Sequence, residues 1–144
     1  MLETAKNNWQ AKGAIILFLL LTVWWVLDPL ILGKGHERII GDFASIYFVM
    51  ALWGGIWGIT VSRKWGGFRS LMGRAILMFS LGLFAQVFGE CVYAYYTFHL
   101  NVEIPYPSLG DLGYFGSIPL YIYGVLLLAK ASGIGIKLKS LRGK

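Results

Sequence analysis

One carboxyl group stands inside a long apolar stretch of the chain. Glu90 follows an uncharged run from Ala75 to Gly89 and precedes another from Cys91 to Phe98. If this stretch crosses a membrane, the carboxyl lies within the bilayer, where an ionisable group is costly and marks a candidate functional site. Such a group can bind a proton, a cation or a polar ligand. It can also stay protonated, because burial disfavours the charged form, and act as a polar clamp between helices.

Polar side chains at helical spacing accompany Glu90 in the sequence. Gln86 precedes it by four residues and Tyr93 follows it by three, so a helix places all three on one face. An amide and a phenol can both hydrogen-bond to a carboxyl group. Later residues on the same side outline an outward-facing pocket, although aromatic rings there are also typical of a membrane-interface belt. The predicted ligand-binding residues are Glu90, Gln86, Tyr93, Asp111, Tyr114 and Tyr121.

Residues typical of disulfides, metal sites and catalytic sites are few in the rest of the sequence. Cys91 is the single cysteine, which excludes a disulfide within the chain, and no Cys pair or His-x-x-x-His spacing indicates zinc. His36 and His99 are isolated loop residues, and Asp28 before Pro29 suits a helix end near water. No phosphate-binding glycine loop or Ser-His-Asp arrangement stands out. We therefore predict no enzyme activity and no metal site, and the residues indicate no particular cofactor.

The composition predicts an integral membrane protein. Of 144 residues, 57% are hydrophobic and only 14% are charged, and the mean hydropathy is +0.64. Soluble domains carry roughly 25% charged residues. At about 20 residues per pass, the chain can cross a bilayer about four times, which leaves no room for a soluble catalytic domain.

The apolar runs predict an all-α fold with four transmembrane helices. Their expected bounds are 13–32, 43–62, 75–98 and 112–129, with a basic tail at 130–144. The first run is interpreted as a retained helix rather than a signal peptide, because no small-residue cleavage site follows it.

Two features inside these runs bear on packing. Gly54 and Gly58, with Gly55 between them, offer a small-residue face on the second helix that allows close backbone approach. Packing within the chain is favoured over a dimer contact, since such motifs are common in membrane helices. Pro119 is expected to kink the fourth helix where neighbouring groups satisfy the freed carbonyl.

The basic residues predict the orientation in the membrane. The two ends of the chain and the connection between helices two and three hold 11 of the 13 basic residues, and the other connections hold only Lys34 and Arg38. Cytoplasmic segments are enriched in Lys and Arg, so both termini and the middle connection are predicted to be cytoplasmic. The expected location is the inner membrane of a bacterial cell. Anionic lipid on the cytoplasmic side explains the positive charge, and no nucleic-acid partner is predicted.

The connection between helices three and four carries a recognisable pattern. It reads PYPSLGDLGY from Pro105 to Tyr114, then Pro119-Leu120 and a leucine-rich helix. This stretch resembles the multi-helix membrane sensor regions of bacterial diguanylate cyclases (GGDEF proteins) and some histidine kinases, which have Pro-Ser-x-Ala-Asp-x-x-Tyr between two membrane helices, after a Gly-Asp or Gly-Glu pair. The matching residues are Pro107, Ser108, Asp111 and Tyr114, with Gly89 and Glu90 upstream. Gly110 stands where alanine is usual. The resemblance implies a role in sensing.

These observations favour a non-enzymatic sensing or ligand-binding module with an outer-half pocket around Glu90. One alternative is a small transporter or channel in which Glu90 carries a proton or cation. Another is an accessory subunit of a larger membrane complex, docked through glycine faces and aromatic belts. The expected partners are the lipid bilayer, a small-molecule or ion ligand, and a protein partner or a second copy of the chain.

The orientation can be tested with introduced cysteines. In a Cys91→Ser background, a cysteine at Ser140 or Ser70 should react with a membrane-impermeant thiol reagent only from the cytoplasmic side, because both sites lie in basic segments. Labelling of either site from outside intact cells would contradict the assignment.

Overall fold

All regular structure in the described part of the chain is helical. A computed structural model of the protein describes residues 8–32 and 47–133, and the side chains of residues 28–32 are not part of that description. The helices are α1 (Trp9–Leu32), α2 (Phe48–Lys64), α3 (Leu71–Ala94) and α4 (Leu109–Ala131), with a short 3₁₀ helix at Gly67–Arg69. The predicted all-α class is therefore confirmed for the described residues.

Three segments are long and apolar enough to cross a membrane, namely Trp9–Leu27, Leu71–Leu100 and Leu109–Ala131. The second of these contains α3 and a π-helical continuation, Tyr95–Leu100, which ends at Asn101 in the left-handed conformation with φ 50°. Helix α2 has 17 residues as described. The start predicted for it, at residue 43, lies outside the described residues.

Side-chain caps set where α3 and α4 begin. Ser70 Oγ accepts a hydrogen bond of 2.8 Å from the Gly73 amide, so α3 starts at Leu71, before the apolar run predicted from residue 75. Helix α4 likewise starts at Leu109, directly after its N-cap residue Ser108. A cysteine at Ser70 would remove the α3 cap, so the neighbouring exposed residue Phe68 is the better labelling site for topology.

Helix α3 is the centre of the bundle, and small residues bring α2 against it. A Cβ atom added to Gly55 would lie 3.1 Å from the ring of Phe84, and Gly58 faces Ser80. Ser62 at the far end donates a hydrogen bond of 2.7 Å to the carbonyl of Gly73. The expectation that the glycine face packs within the chain is therefore confirmed.

Helix α4 approaches α3 more closely still. A Cβ atom on Gly113 would lie 2.7 Å from the amide nitrogen of Gly89, and Gly82 lies under the ring of Tyr121. The pairs run in opposite order along the two helices, so α3 and α4 are antiparallel. Helix α4 continues through Pro119, where the sequence predicts a kink.

Helix α1 lies at the periphery and meets α2 through tryptophans. The ring of Trp9 packs edge-on against Trp57, with centroids 4.8 Å apart, and Trp53 Nε1 donates a hydrogen bond of 3.3 Å to the carbonyl of Gln10. None of the α1 residues from Trp9 to Leu27 is buried in the protein. In a membrane, most of this helix would face lipid.

The close approach of α3 and α4 predicts that alanine substitutions at two glycines of α4 have very different effects on stability. Gly113→Ala should destabilise the protein by about 1–3 kcal/mol, because a methyl group there overlaps the backbone of α3. Gly116→Ala is the matched control, since nothing lies within 4 Å of an added Cβ at this position. It should be neutral or stabilise by up to about 1 kcal/mol through helix propensity. Thermal unfolding in detergent measures both, and equal midpoints for the two variants would contradict the packing.

Candidate functional site

The Glu90 side chain is buried where three helices meet. Only 6% of the residue is exposed, although its carboxyl is ionisable. The hydroxyl of Tyr47, which directly precedes α2, donates a hydrogen bond to Glu90 Oε1. A carboxyl group of α3 is thereby bonded to the start of α2.

A second phenol lies beside the same carboxyl group on the α4 side. The Tyr114 ring packs against Gly89, the residue that directly precedes Glu90. The Tyr114 ring also packs against Tyr93, with ring centroids 5.3 Å apart and a tilt of 54°. Glu90 therefore lies between phenols of two different helices, which supply the polar partners that a buried carboxyl group requires.

Asp111 ties α4 to α3 beside this carboxyl group. The Tyr93 hydroxyl donates a hydrogen bond of 2.6 Å to Asp111 Oδ1, and the Ser108 amide donates one of 2.6 Å to Asp111 Oδ2. The second bond is the N3 half of a capping box at the start of α4. One carboxylate thus caps its own helix and holds the tyrosine of the neighbouring helix. We refer to Tyr47, Glu90, Tyr93, Asp111 and Tyr114 together as the Glu90 junction.

Glycines next to the two acids make the junction possible. A Cβ atom on Gly89 would lie 2.9 Å from both the Gly110 carbonyl and the Tyr114 ring, and one on Gly110 would overlap the Tyr93 ring. Glu90 and Asp111 directly follow these glycines in the chain. The absence of side chains at Gly89 and Gly110 therefore lets both acids reach partners on the opposite helix.

The structure brings four of the six predicted ligand-binding residues together. These are Glu90, Tyr93, Asp111 and Tyr114. Gln86 lies one turn away on α3, half-buried, and forms no hydrogen bond to Glu90 within the part of the chain described. Tyr121 stacks on Phe79 instead, with centroids 6.2 Å apart, and covers Gly82. Gly82 is eight residues from Glu90, or about 12 Å along the helix.

Tyr47 belongs to the site and is not among the residues predicted from the sequence. It stands at the edge of an apolar run with no polar neighbour at helical spacing. Its role depends on the antiparallel register of α2 and α3, which places the start of α2 beside the C-terminal part of α3. No local pattern in the sequence carries that register.

The described connection between α3 and α4, on the side where the sequence predicts an outward-facing pocket, is largely exposed. Tyr106 is 86% exposed on the connection, Glu103 is also exposed, and the ring of His99 stacks on Tyr95 with centroids 5.0 Å apart. His36 lies outside the described residues. Within residues 8–32 and 47–133, no three His, Cys, Asp or Glu side chains come close enough to share a metal ion.

Two apolar cavities of about 280 Å³ each flank the junction. The first, the α1–α2 cavity, is lined by Phe18, Leu21, Thr22, Tyr47 and Met50. The second, the α3 groove, is lined by Phe88, Cys91, Val92, Tyr95, Tyr96 and Leu109. Glu90 lines neither cavity, but its hydrogen-bond partner Tyr47 forms part of the first.

Comparison of the chain with models of known protein families, with curated proteins and with solved structures finds no match. The function is therefore argued from the geometry of the junction. The carboxyl group can accept hydrogen bonds when ionised, and it can donate one when protonated. Its protonation or displacement would change the bonds that join α2 and α4 to α3.

The bond between Tyr93 and Asp111 predicts coupling between the two residues. Tyr93→Phe should lower the thermal unfolding midpoint, because it removes a hydrogen bond to a charged acceptor. In an Asp111→Ala background, the same change should have little further effect. Tyr123→Phe is the control, since Tyr123 is half-exposed on α4 and away from the junction. If the effects of Tyr93→Phe and Asp111→Ala simply add, the two side chains do not act together.

Proposed function

We propose that this protein is a non-enzymatic membrane sensing module whose responsive element is the Glu90 junction. The observation that carries the proposal is the burial of a carboxyl group between phenols of two other helices. An ionisable residue in a membrane helix is a functional-site hypothesis by default. Here its surroundings join three helices at one group, as a sensing element requires.

The junction supplies a physical route from a local change to a helix movement. An ionised Glu90 accepts the hydrogen bond from Tyr47, and Tyr114 of α4 lies beside it. A protonated Glu90 is neutral and carries a proton of its own to donate, so the charge-assisted hydrogen bond from Tyr47 is weakened and a new donor is present. Among the described side chains, the titratable groups that face Glu90 are Tyr47 before α2, Tyr93 of α3 and Tyr114 of α4, with Asp111 beyond Tyr93. A proton, a small molecule or an ion that acts on Glu90 would therefore change how α2 and α4 pack on α3.

The proposed arrangement has four transmembrane helices with both termini in the cytoplasm of a bacterial cell. The 17 described residues of α2 span about 26 Å, close to the roughly 30 Å of a bilayer core. The distribution of basic residues supports this orientation. It puts the Glu90 junction in the outer half of the membrane and the basic ends on the side where a cytoplasmic partner would receive a signal.

The resemblance to cyclase and kinase sensor regions supports the same function. Its matching residues lie at the junction: Tyr114 lies beside Glu90, and the Asp111 carboxylate accepts from the Ser108 amide at the start of α4. Gly89 packs against Gly110 and Tyr114. The pattern therefore has a physical interpretation as the contact between two helices around a buried acid, which is a suitable element for conformational signalling.

Cys91 provides a reporter for this function, because it is exposed and directly follows Glu90. An environment-sensitive fluorophore on Cys91, in lipid nanodiscs, should show two signal levels as the pH falls from about 7 to about 3, a range that brackets the ordinary titration of carboxyl groups. Glu90→Gln should hold the low-pH level throughout, because glutamine keeps the shape of the neutral acid. Its stability should remain within about 1 kcal/mol of the native protein.

The matched control is Glu103→Gln, which neutralises an exposed acid on the connection and should leave the transition intact. A full transition in Glu90→Gln would show that another group responds. The Glu90 carboxyl would then have only a packing role.

A further inference from the structure

Helices α1 and α2 pack tightly at one end of their interface, and the α1–α2 cavity lies between them toward the other end. At the inner end, Trp9 of α1 packs on Trp53 and Trp57 of α2. Toward the other end, Phe18, Leu21 and Thr22 of α1 face Tyr47 and Met50 of α2 across a cavity of about 280 Å³. The tryptophans thus hold the helices together at one end, and the cavity separates them toward the Glu90 junction.

The cavity offers no free polar group to a ligand. Its two hydroxyl groups are already engaged: Thr22 Oγ1 donates a hydrogen bond of 2.8 Å to the carbonyl of Phe18, and the Tyr47 hydroxyl donates to Glu90. The remaining lining residues, Phe18, Leu21 and Met50, are apolar. Because a polar ligand would lose its hydrogen bonds to water here without replacement, the lining selects an apolar occupant.

The surroundings of the cavity indicate where that occupant comes from. The α1 residues beside it expose apolar side chains: Leu19 by 54%, Leu20 by 62% and Val23 by 51%. They belong to a segment apolar enough to span a membrane, so the medium around the cavity is lipid hydrocarbon. The volume lies just below the roughly 300–1,000 Å³ of small-molecule sites, which suits part of one chain rather than a headgroup.

We propose that the α1–α2 cavity binds an acyl chain of a membrane lipid and that occupancy positions Tyr47, and through it the bond to Glu90. The second half of this statement rests on the proposed function of the Glu90 junction. The Tyr47 ring forms a wall of the cavity while its hydroxyl bonds to the carboxyl group. Hydrogen bonds between oxygens need about 2.5–3.0 Å, so a ring displacement of about 1 Å breaks the contact.

Because of this coupling, binding of the lipid chain changes the equilibrium between the positions of Tyr47 at the junction. A chain that fits the cavity better with Tyr47 in one position shifts the population toward that position. The occupancy of the cavity and the state of Glu90 therefore influence each other. The junction would therefore respond to a change in the acyl chains of the surrounding lipids.

Photocrosslinking tests the site, with two adjacent leucines as a matched pair. The protein is placed in nanodiscs that contain phosphatidylcholine with a diazirine on one acyl chain, and the crosslinked residues are mapped by mass spectrometry. Leu21→Trp fills the cavity, whereas Leu20→Trp adds the same bulk on the exposed neighbour. Crosslinking at Met50, the half-buried residue of the lining on α2, should fall several-fold in Leu21→Trp and stay at the native level in Leu20→Trp.

Met50→Trp fills the cavity from the α2 side and provides a second test if Leu21→Trp does not fold. Equal crosslinking in the native protein and in every folded cavity-filling variant would overturn the site, because lipid would then only surround the protein. So would crosslinks confined to exposed residues such as Leu20.

The coupling to Glu90 has its own readout in the Cys91 fluorophore. Filling the cavity should shift the midpoint of the pH transition, while Leu20→Trp should leave it unchanged. Reduced crosslinking with an unmoved midpoint would overturn the coupling. Because the Glu90→Gln experiment needs no change to the cavity, it separates failure of this proposal from failure of the sensing function.

Discussion

Burial of the Glu90 carboxyl among apolar helices requires hydrogen-bond partners that its own helix does not provide. The phenol of Tyr47 at the start of α2 donates to it, and the phenol of Tyr114 on α4 lies beside it. Since a buried polar group without a partner costs several times more than an ordinary hydrogen bond contributes, α2 and α4 must keep their register against α3. The arrangement of the helices around Glu90 follows from this requirement.

The hydrogen bonding of Glu90 also requires close helix packing. Phenols on α2 and α4 can reach Glu90 only if the backbones approach closely, and glycine allows that approach. Gly89, Gly110 and Gly113 bring α3 and α4 together beside the acid, and Gly55 and Gly58 do so for α2 and α3. In a membrane, where lipid is as apolar as leucine, such packing and interhelical hydrogen bonds are the main forces between helices. The packing of the bundle and the surroundings of Glu90 therefore depend on the same residues.

Much of the fold follows from local sequence. The length and apolar character of the runs predict helices, and three segments meet the requirements of a membrane span. The helix starts were predicted less well, because Ser70 and Ser108 begin α3 and α4 before the apolar runs do. A cap is set by one side chain and the amides of the next turn, so it need not coincide with the onset of hydrophobicity.

The sequence by itself determined the chemical identity of the site: a lone acid in an apolar helix, with Tyr93 on the same face. These features follow from composition and helical periodicity, which are properties of a single segment. Only the tertiary structure decided that Tyr47 bonds to Glu90, that Tyr121 lies about two turns away, and that an apolar cavity adjoins Tyr47. Those outcomes depend on the register between antiparallel helices. That register results from glycine contacts and side-chain fit across the interface, so no periodicity within one helix encodes it.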